Sequence, residues 1–231
     1  MVQKKLIVIF VATTMAAMIQ TAQASMTLAQ LAAGGTISVG DKTFSGFSYQ
    51  DTGLTSFNPN QIIVTATESG GIDYLTWSGN MSYLSGGAGS ADLMLNYIVT
   101  ANAGKIDMID QSYTGSAQHG FLAVDETAAI GNFGGTMAGF SHLQVGDLSD
   151  PPAEVVQGDN LNIIPSQSVL YVTKDIGLAV VSPNGGYITI SRVSQSFHQA
   201  VPEPTTIIAG ALLLLPFGAS TLRILRKSRT A

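Results

Sequence analysis

Asp92-Leu93-Met94-Leu95-Asn96-Tyr97-Ile98-Val99-Thr100 is the stretch that decides the fold. In an extended chain successive side chains point to opposite faces, so Leu93, Leu95, Tyr97 and Val99 share one face. Met94, Asn96 and Ile98 share the other. Apolar residues on both faces predict a central strand covered on both sides. Shorter runs with the same chemistry lie on either side of it: Gln61–Thr67, Ile72–Ser78, Gly120–Val124, Val169–Thr173 and Tyr187–Val193. They are rich in Val, Ile, Thr, Tyr and Phe, and turn-forming clusters of Gly, Asn, Asp, Pro and Ser separate them. In the last run Ile188 and Ile190 face one way and Tyr187, Thr189 and Ser191 the other, as in a half-exposed strand.

Only Thr27–Ala33 reads as a helix, with Thr27 as N-cap and Gly34 as the stop. No fixed repeat is present, so a solenoid or propeller is not expected. The expected fold is all-β: a single antiparallel β-sandwich, jelly-roll or immunoglobulin-like, over residues 25–199.

Charge narrows the function classes. Lys42, Lys105, Lys174 and Arg192 face fourteen carboxylates in that span, which leaves a formal charge of −10. Such a surface repels nucleic acid and anionic headgroups, so no nucleic-acid partner is expected. The chain has no cysteine, which excludes disulfides, thiolate metal sites and a lipoprotein anchor.

Both ends read as delivery signals. Lys4 and Lys5 precede an apolar stretch from Leu6 to Met18, and Ala22-Gln23-Ala24 supplies a small-x-small cleavage site. Residues 1–24 are therefore expected to be a signal peptide, handled by the export translocon and signal peptidase, with Ser25 as the mature start. At the other end a linker over residues 200–204 contains Pro202-Glu203-Pro204. An apolar segment over residues 205–225 follows, and then a basic tail over residues 226–231. The uncharged run from Thr205 to Leu222 would give roughly 27 Å of helix at about 1.5 Å per residue, enough for a single span. Arg223, Arg226, Lys227 and Arg229 should hold the far end in the cytoplasm and leave the domain outside.

This tail closely resembles the PEP-CTERM sorting signal of Gram-negative bacteria. The resemblance covers about the final thirty residues. It implies recognition of Pro202-Glu203-Pro204 by an exosortase-type membrane protease. It also implies a transient inner-membrane intermediate with its ectodomain outside the cytoplasm, then transfer to the cell surface or extracellular space. A second resemblance lies in Val172-Thr173-Lys174-Asp175-Ile176 and in Ile190-Ser191-Arg192-Val193-Ser194-Gln195-Ser196-Phe197. These look like the close of other PEP-CTERM ectodomains, which carry no assigned activity.

No catalytic residue is assigned. His119, His142 and His198 are the only histidines, and no nucleophile elbow, His-Glu-x-x-His or phosphate loop occurs. Asp107 with Asp110, Asp125 with Glu126, and Asp147 with Asp150 offer oxygens of the kind a Ca²⁺ loop draws on. None forms an EF-hand, and a solvated acidic surface is the stronger reading, so no metal or cofactor is assigned. Tyr49, Trp77, Tyr83 and Tyr113 are aromatics that would stack on sugars if exposed, though such residues are more often core.

Three functions follow. The first is a non-enzymatic structural or adhesive component of an exopolysaccharide or biofilm matrix. The second is a carbohydrate-binding module that engages extracellular polysaccharide. The third is a secreted hydrolase with an unrecognised site.

Pro202 and Pro204 fix φ and keep the segment before the apolar run extended, as a protease needs. Replacing Pro202, Glu203 and Pro204 with alanine should leave export intact and trap the full-length chain in the inner membrane of an exosortase-bearing host. Fractionation and immunoblotting would check this. A triple variant released like the parent would reduce the motif to a linker.

Overall fold

The computed structural model describes residues 23–146 and 158–199. The chain runs β1 (Gln23–Thr27), α1 (Leu28–Ala32), β2 (Ile37–Val39), β3 (Lys42–Thr52), β4 (Ile63–Ser69), β5 (Ile72–Ser85) and β6 (Gly89–Ala101). It continues through β7 (Ile106–Gln118), β8 (Gly120–Ile130), β9 (Thr136–Gly146), β10 (Gly158–Gln167), β11 (Val169–Val180) and β12 (Gly186–Gln199). These strands form two six-stranded antiparallel sheets packed as a sandwich. The front sheet has the order β1-β4-β5-β12-β7-β10 and the back sheet β2-β3-β6-β11-β8-β9.

The expected helix is present, one residue shorter at each end. Thr27 caps it in a capping box with Gln30, and Leu28 and Leu31 are buried. The expected strands are present and most run longer: Gly120–Val124 is the start of an eleven-residue strand and Val169–Thr173 of a twelve-residue one, while Gln61–Thr67 is shifted by two residues to Ile63–Ser69. In β6, Leu93, Leu95, Tyr97 and Val99 lie in the core. The expectation of cover on both sides is corrected, because Met94, Asn96 and Ile98 on the outer face are only half-buried. A two-layer sandwich buries one face of each sheet, and the apolar content of the outer face reflects strand propensity rather than a third layer.

One bulge sets the phase of β12. Ile188 and Ile190 point inward, and strict alternation would carry Arg192 inward as well. The register slips between Ile190 and Arg192 against both β5 and β7. Against β7 the extra residue is Ser191, and against β5 it lies on β5 between Ser78 and Met81; the strand changes phase there, so Arg192 faces solvent while Val193, Gln195 and Phe197 enter the core.

The interior contains charge. Lys174 of β11 and Glu126 of β8 are directly opposed in register, fully buried and ion-paired. Lys174 Nζ also donates to Gln111 Oε1 at 2.8 Å, and the Gln111 amide donates to Ser141 Oγ. Gln195 Nε2 donates to Glu126 Oε1 and Oε2 at 2.8 and 2.7 Å, and its own Oε1 accepts from the Tyr97 hydroxyl at 2.8 Å. Burial pushes the Glu126 carboxyl up and the Lys174 amine down, and each is partly restored by the other's charge. Burial, then the Glu126 charge, lifts the Tyr97 hydroxyl well above its ordinary value, which keeps it a donor. The network joins β6, β11, β8 and β9 of the back sheet to β12 and β7 of the front sheet.

A second ionic tie closes one end of the sandwich. Buried Lys42 of β3 pairs with Asp41 and lies 3.4 Å from Asp73 Oδ2 of β5. Gly40, at φ +54°, makes the turn there. A Cβ at this position would come within 2.1 Å of Asp73 Oδ1, so the turn has room for glycine alone. Burial would raise the Asp41 carboxyl, but its bonds to Lys42 hold it below its ordinary range. Asp73 goes the other way. Its Oδ1 is buried with no hydrogen-bond partner among the described residues, and burial pushes the carboxyl up to about 6 despite Lys42.

Two predictions follow from these ties. Lys174→Met leaves Glu126 as an uncompensated buried charge and should cost about 3–5 kcal/mol in urea unfolding. Lys105→Met, at an exposed turn, should stay within about 0.5 kcal/mol of the parent. Equal stabilities would show that the buried pair contributes nothing. For Asp73 the folded-state value lies above the ordinary 3.8, so the folded protein keeps a proton that the unfolded chain releases. Its contribution is complete below 3.8 and is lost as pH rises to about 6. The stability of Asp73→Asn relative to the parent should therefore grow between pH 4 and 6 and then level off. Urea midpoints at pH 4, 5, 6 and 7 would measure it, and a difference that shrinks with pH would overturn the assignment.

Candidate functional site

The outward residues of the front sheet line up across strands by register. One rung reads Thr67, Tyr74, Ser196, Asp110, Asn160, and the next reads Thr65, Thr76, Ser194, Ser112. A third brings Ser78, Arg192 and Thr114 together. Strands β4, β5, β12 and β7 each contribute Ser, Thr or Tyr at their outward phase, so this part of the face is a field of hydroxyls. Between β4, β5, β12 and β7 it is hollowed into an open groove of about 370 Å³ lined by Thr67, Tyr74, Thr76, Ser112, Arg192 and Ser194, with Tyr113 and Thr114. Arg192 Nε donates to Ser194 Oγ at 3.2 Å, which holds the guanidinium along the groove wall. Among the described residues, no carboxylate pairs with Arg192 within ion-pair distance.

At one end of this face Ser196, His198 and Asp110 meet. His198 Nε2 lies 2.8 Å from Asp110 Oδ2 and 3.1 Å from Ser196 Oγ, and Ser196 Oγ donates to the same Asp110 oxygen at 3.1 Å. The residue types are those of a nucleophilic triad, but the geometry is not. A triad places the serine on one ring nitrogen and the carboxylate on the other, so that a proton taken from serine is stabilised across the ring. Here all contacts converge on Nε2 and the carboxylate bonds the serine directly. The cluster holds the surface of β12 against β7.

The other histidines are placed as follows. His142 Nδ1 lies 2.5 Å from Asp125 Oδ1 across β8 and β9, with Gln144 Oε1 at 3.2 Å from Nε2. These bonds, Asp125 first, raise its pKa. His119 takes φ +58° in the turn between β7 and β8.

The remaining expected residues divide. Ala24 and Ser25 lie in β1, opposite Ala66 and Thr65, so cleavage after Ala24 would leave β1 as Ser25–Thr27. Asp107 and Asp110 both sit on β7. Asp110 is occupied by Ser196 and His198, and no group of three or more metal-ligating side chains forms among the described residues. Ala22, Asp147, Asp150, the Pro202-Glu203-Pro204 motif, the apolar segment and Arg223, Arg226, Lys227 and Arg229 lie outside the described residues. Among the described residues, no helix is long and apolar enough to cross a membrane.

The aromatics offered for stacking are corrected in part. Trp77 and Tyr113 are buried on either side of Val193, and Trp77 packs against Phe47 and Tyr97. Tyr49 stays partly exposed, edge-on to Phe57 at 5.5 Å. Tyr74, which opens onto the groove, was not singled out by sequence. Its signal was its outward phase beside inward Asp73 and Leu75.

No family model and no curated protein matches the chain. Solved structures with a similar fold include TmCBM61 in complex with beta-1,4-galactotriose, at 8% identity and TM-score 0.30, covering 68% of this chain and 90% of that one. A family 12 xyloglucanase from Bacillus licheniformis is similar at 11% identity and TM-score 0.28, covering 67% of this chain and 100% of that one. At this level neither likeness says what this chain binds or does.

Proposed function

We propose that the protein is an exported, non-enzymatic carbohydrate-binding module that serves as a structural or adhesive component of an extracellular polysaccharide matrix. The observation that carries this reading is the hydroxyl-lined groove on the front sheet. Small-molecule sites are concave and mostly apolar. This groove is open, shallow and polar, which suits a chain of sugar units lying across strands. Ser and Thr hydroxyls both donate and accept, matching sugar hydroxyls in either orientation. Tyr74 adds a ring for stacking, with a polar tip.

The hydrolase alternative has less support. Glycoside hydrolysis uses two carboxyl groups flanking the scissile bond. Asp110 stands at the end of this face and is bonded to Ser196 and His198, and among the described residues no carboxylate lines the groove. As for the architecture, strands β5 to β12 face each other as β5-β12-β7-β10 and β6-β11-β8-β9. We read this as a jelly roll rather than an immunoglobulin-like arrangement. Delivery would follow the signals at the two ends: export with signal-peptide removal, a transient inner-membrane stage, exosortase processing, then the cell surface or extracellular matrix.

Affinity electrophoresis of the full-length protein in non-ionic detergent, through gels containing neutral or acidic polysaccharides, would test the binding reading. At least one polymer should retard the parent, and Tyr74→Ala should weaken retardation by roughly two- to tenfold. Retardation by no polymer would overturn the reading. Release of reducing ends during incubation would favour the hydrolase instead.

A further inference from the structure

We propose that the groove selects polysaccharides bearing carboxylates, and that Arg192 is the residue that reads the charge. This deepens the carbohydrate-binding reading and rests on it. The span from residue 25 to 199 has four basic side chains. Lys42 and Lys174 are spent in the interior on carboxylates, and Lys105 is exposed in the turn after β6. Arg192 alone lines the groove.

Three observations point the same way. Arg192 is exposed, and among the described residues no carboxylate lies within ion-pair distance of it. Arg192 instead bonds only a neutral hydroxyl, Ser194 Oγ, at 3.2 Å, so four of its five N–H donors stay available. Next, its position is built by the backbone. The Ser191 bulge turns Arg192 out of a strand phase that would have buried it, and Ser191 Oγ secures the bulge by donating to the Thr114 carbonyl at 3.2 Å. Finally, the wall opposite Arg192 is neutral. Thr67, Tyr74, Thr76 and Ser112 can hold the hydroxyls of a sugar ring while the guanidinium takes a carboxylate on the same or the next ring. A planar guanidinium matches a carboxylate with two parallel bonds, and a neutral sugar cannot supply that pairing.

The test compares polygalacturonate with its fully methyl-esterified form, which has the same backbone without the charge, and adds alginate and neutral glucan and galactan. Full-length protein in non-ionic detergent would be titrated with each. The parent should bind the carboxylated polymer at least about tenfold tighter than the ester, and the gap should narrow in 0.5 M salt as surface charges are screened. Arg192→Gln, with an unchanged thermal melt, should bring the two forms within about twofold, chiefly by weakening binding of the carboxylated polymer. Arg192→Lys should recover part of the gap. Equal affinity of the parent for both forms, or a gap that survives in Arg192→Gln, would overturn the inference. Binding of neutral glucan or galactan alone would overturn it too, yet leave the carbohydrate reading standing. Binding of none of the polymers would overturn both.

Discussion

The buried Lys174–Glu126 pair is the constraint on which the rest of the sandwich depends. The inner faces are otherwise made of Val, Ile, Leu, Ala and aromatic residues, which tolerate exchange with one another. A strand that slips by two residues keeps its apolar face inward, so hydrophobic patterning alone specifies register weakly. The pair removes that freedom. A two-residue slip of β8 would bring Val124 or Ala128 opposite Lys174 and leave two uncompensated buried charges. Gln111 and Gln195 extend the constraint to the alignment of one sheet on the other, because each satisfies an ion of the opposite sheet. A buried ion pair is weak evidence for added stability, and its more plausible role here is to specify one arrangement. In a domain without cysteine no disulfide can share that task.

The interior network and the outer groove are linked through one residue. Were β12 to run through Ser191 without the bulge, it would keep the phase of Ile188 and Ile190, Arg192 would point inward and Gln195 outward. Glu126 would then lose its amide partner, and a second cation would enter the core. The bulge therefore satisfies the core and arms the surface in one step. The same dependence explains why Gln195 on the inner face and Ser194 and Ser196 on the outer one belong to a single short segment of β12. Changes to the bulge should be felt on both faces, and changes to the outward side chains on one.

Much of the fold was legible in the sequence because alternation is a local signal. The phase of β6, the exposure pattern at the start of β12 and the Thr27 cap were all readable from neighbouring residues. Strand lengths were underestimated where the chain passes through Ala, Gly, Asn and charged residues, which carry little strand propensity by themselves. The interior charges had a signal that composition hides. Leu122-Val124-Glu126-Ala128 and Val172-Lys174-Ile176-Leu178 each place one charge at an inward step of a period of two. Two opposite charges in such positions suggest that they find each other. The groove was not legible, since it consists of neighbours such as Thr76, Ser194 and Ser112 that only the register of three strands brings together.

Charge placement gives the surface its character. Lys174 is neutralised by Glu126 and Lys42 is held between Asp41 and Asp73, which leaves Lys105 and Arg192 as the only exposed Lys or Arg side chains among the described residues, in a span with a formal charge of −10. A net field of that size opposes non-specific contact with polyanions at distances up to about a Debye length of 10 Å at 0.1 M salt. A polyanion that does bind must approach where the field is locally reversed, and it must make short contacts there. The groove around Arg192 meets both conditions, with one cation on its wall and hydroxyls at hydrogen-bonding range around it. Long-range repulsion with one short-range attraction favours a single docking orientation over diffuse adsorption. For a protein held in a charged matrix, that difference separates specific attachment from mere entrapment.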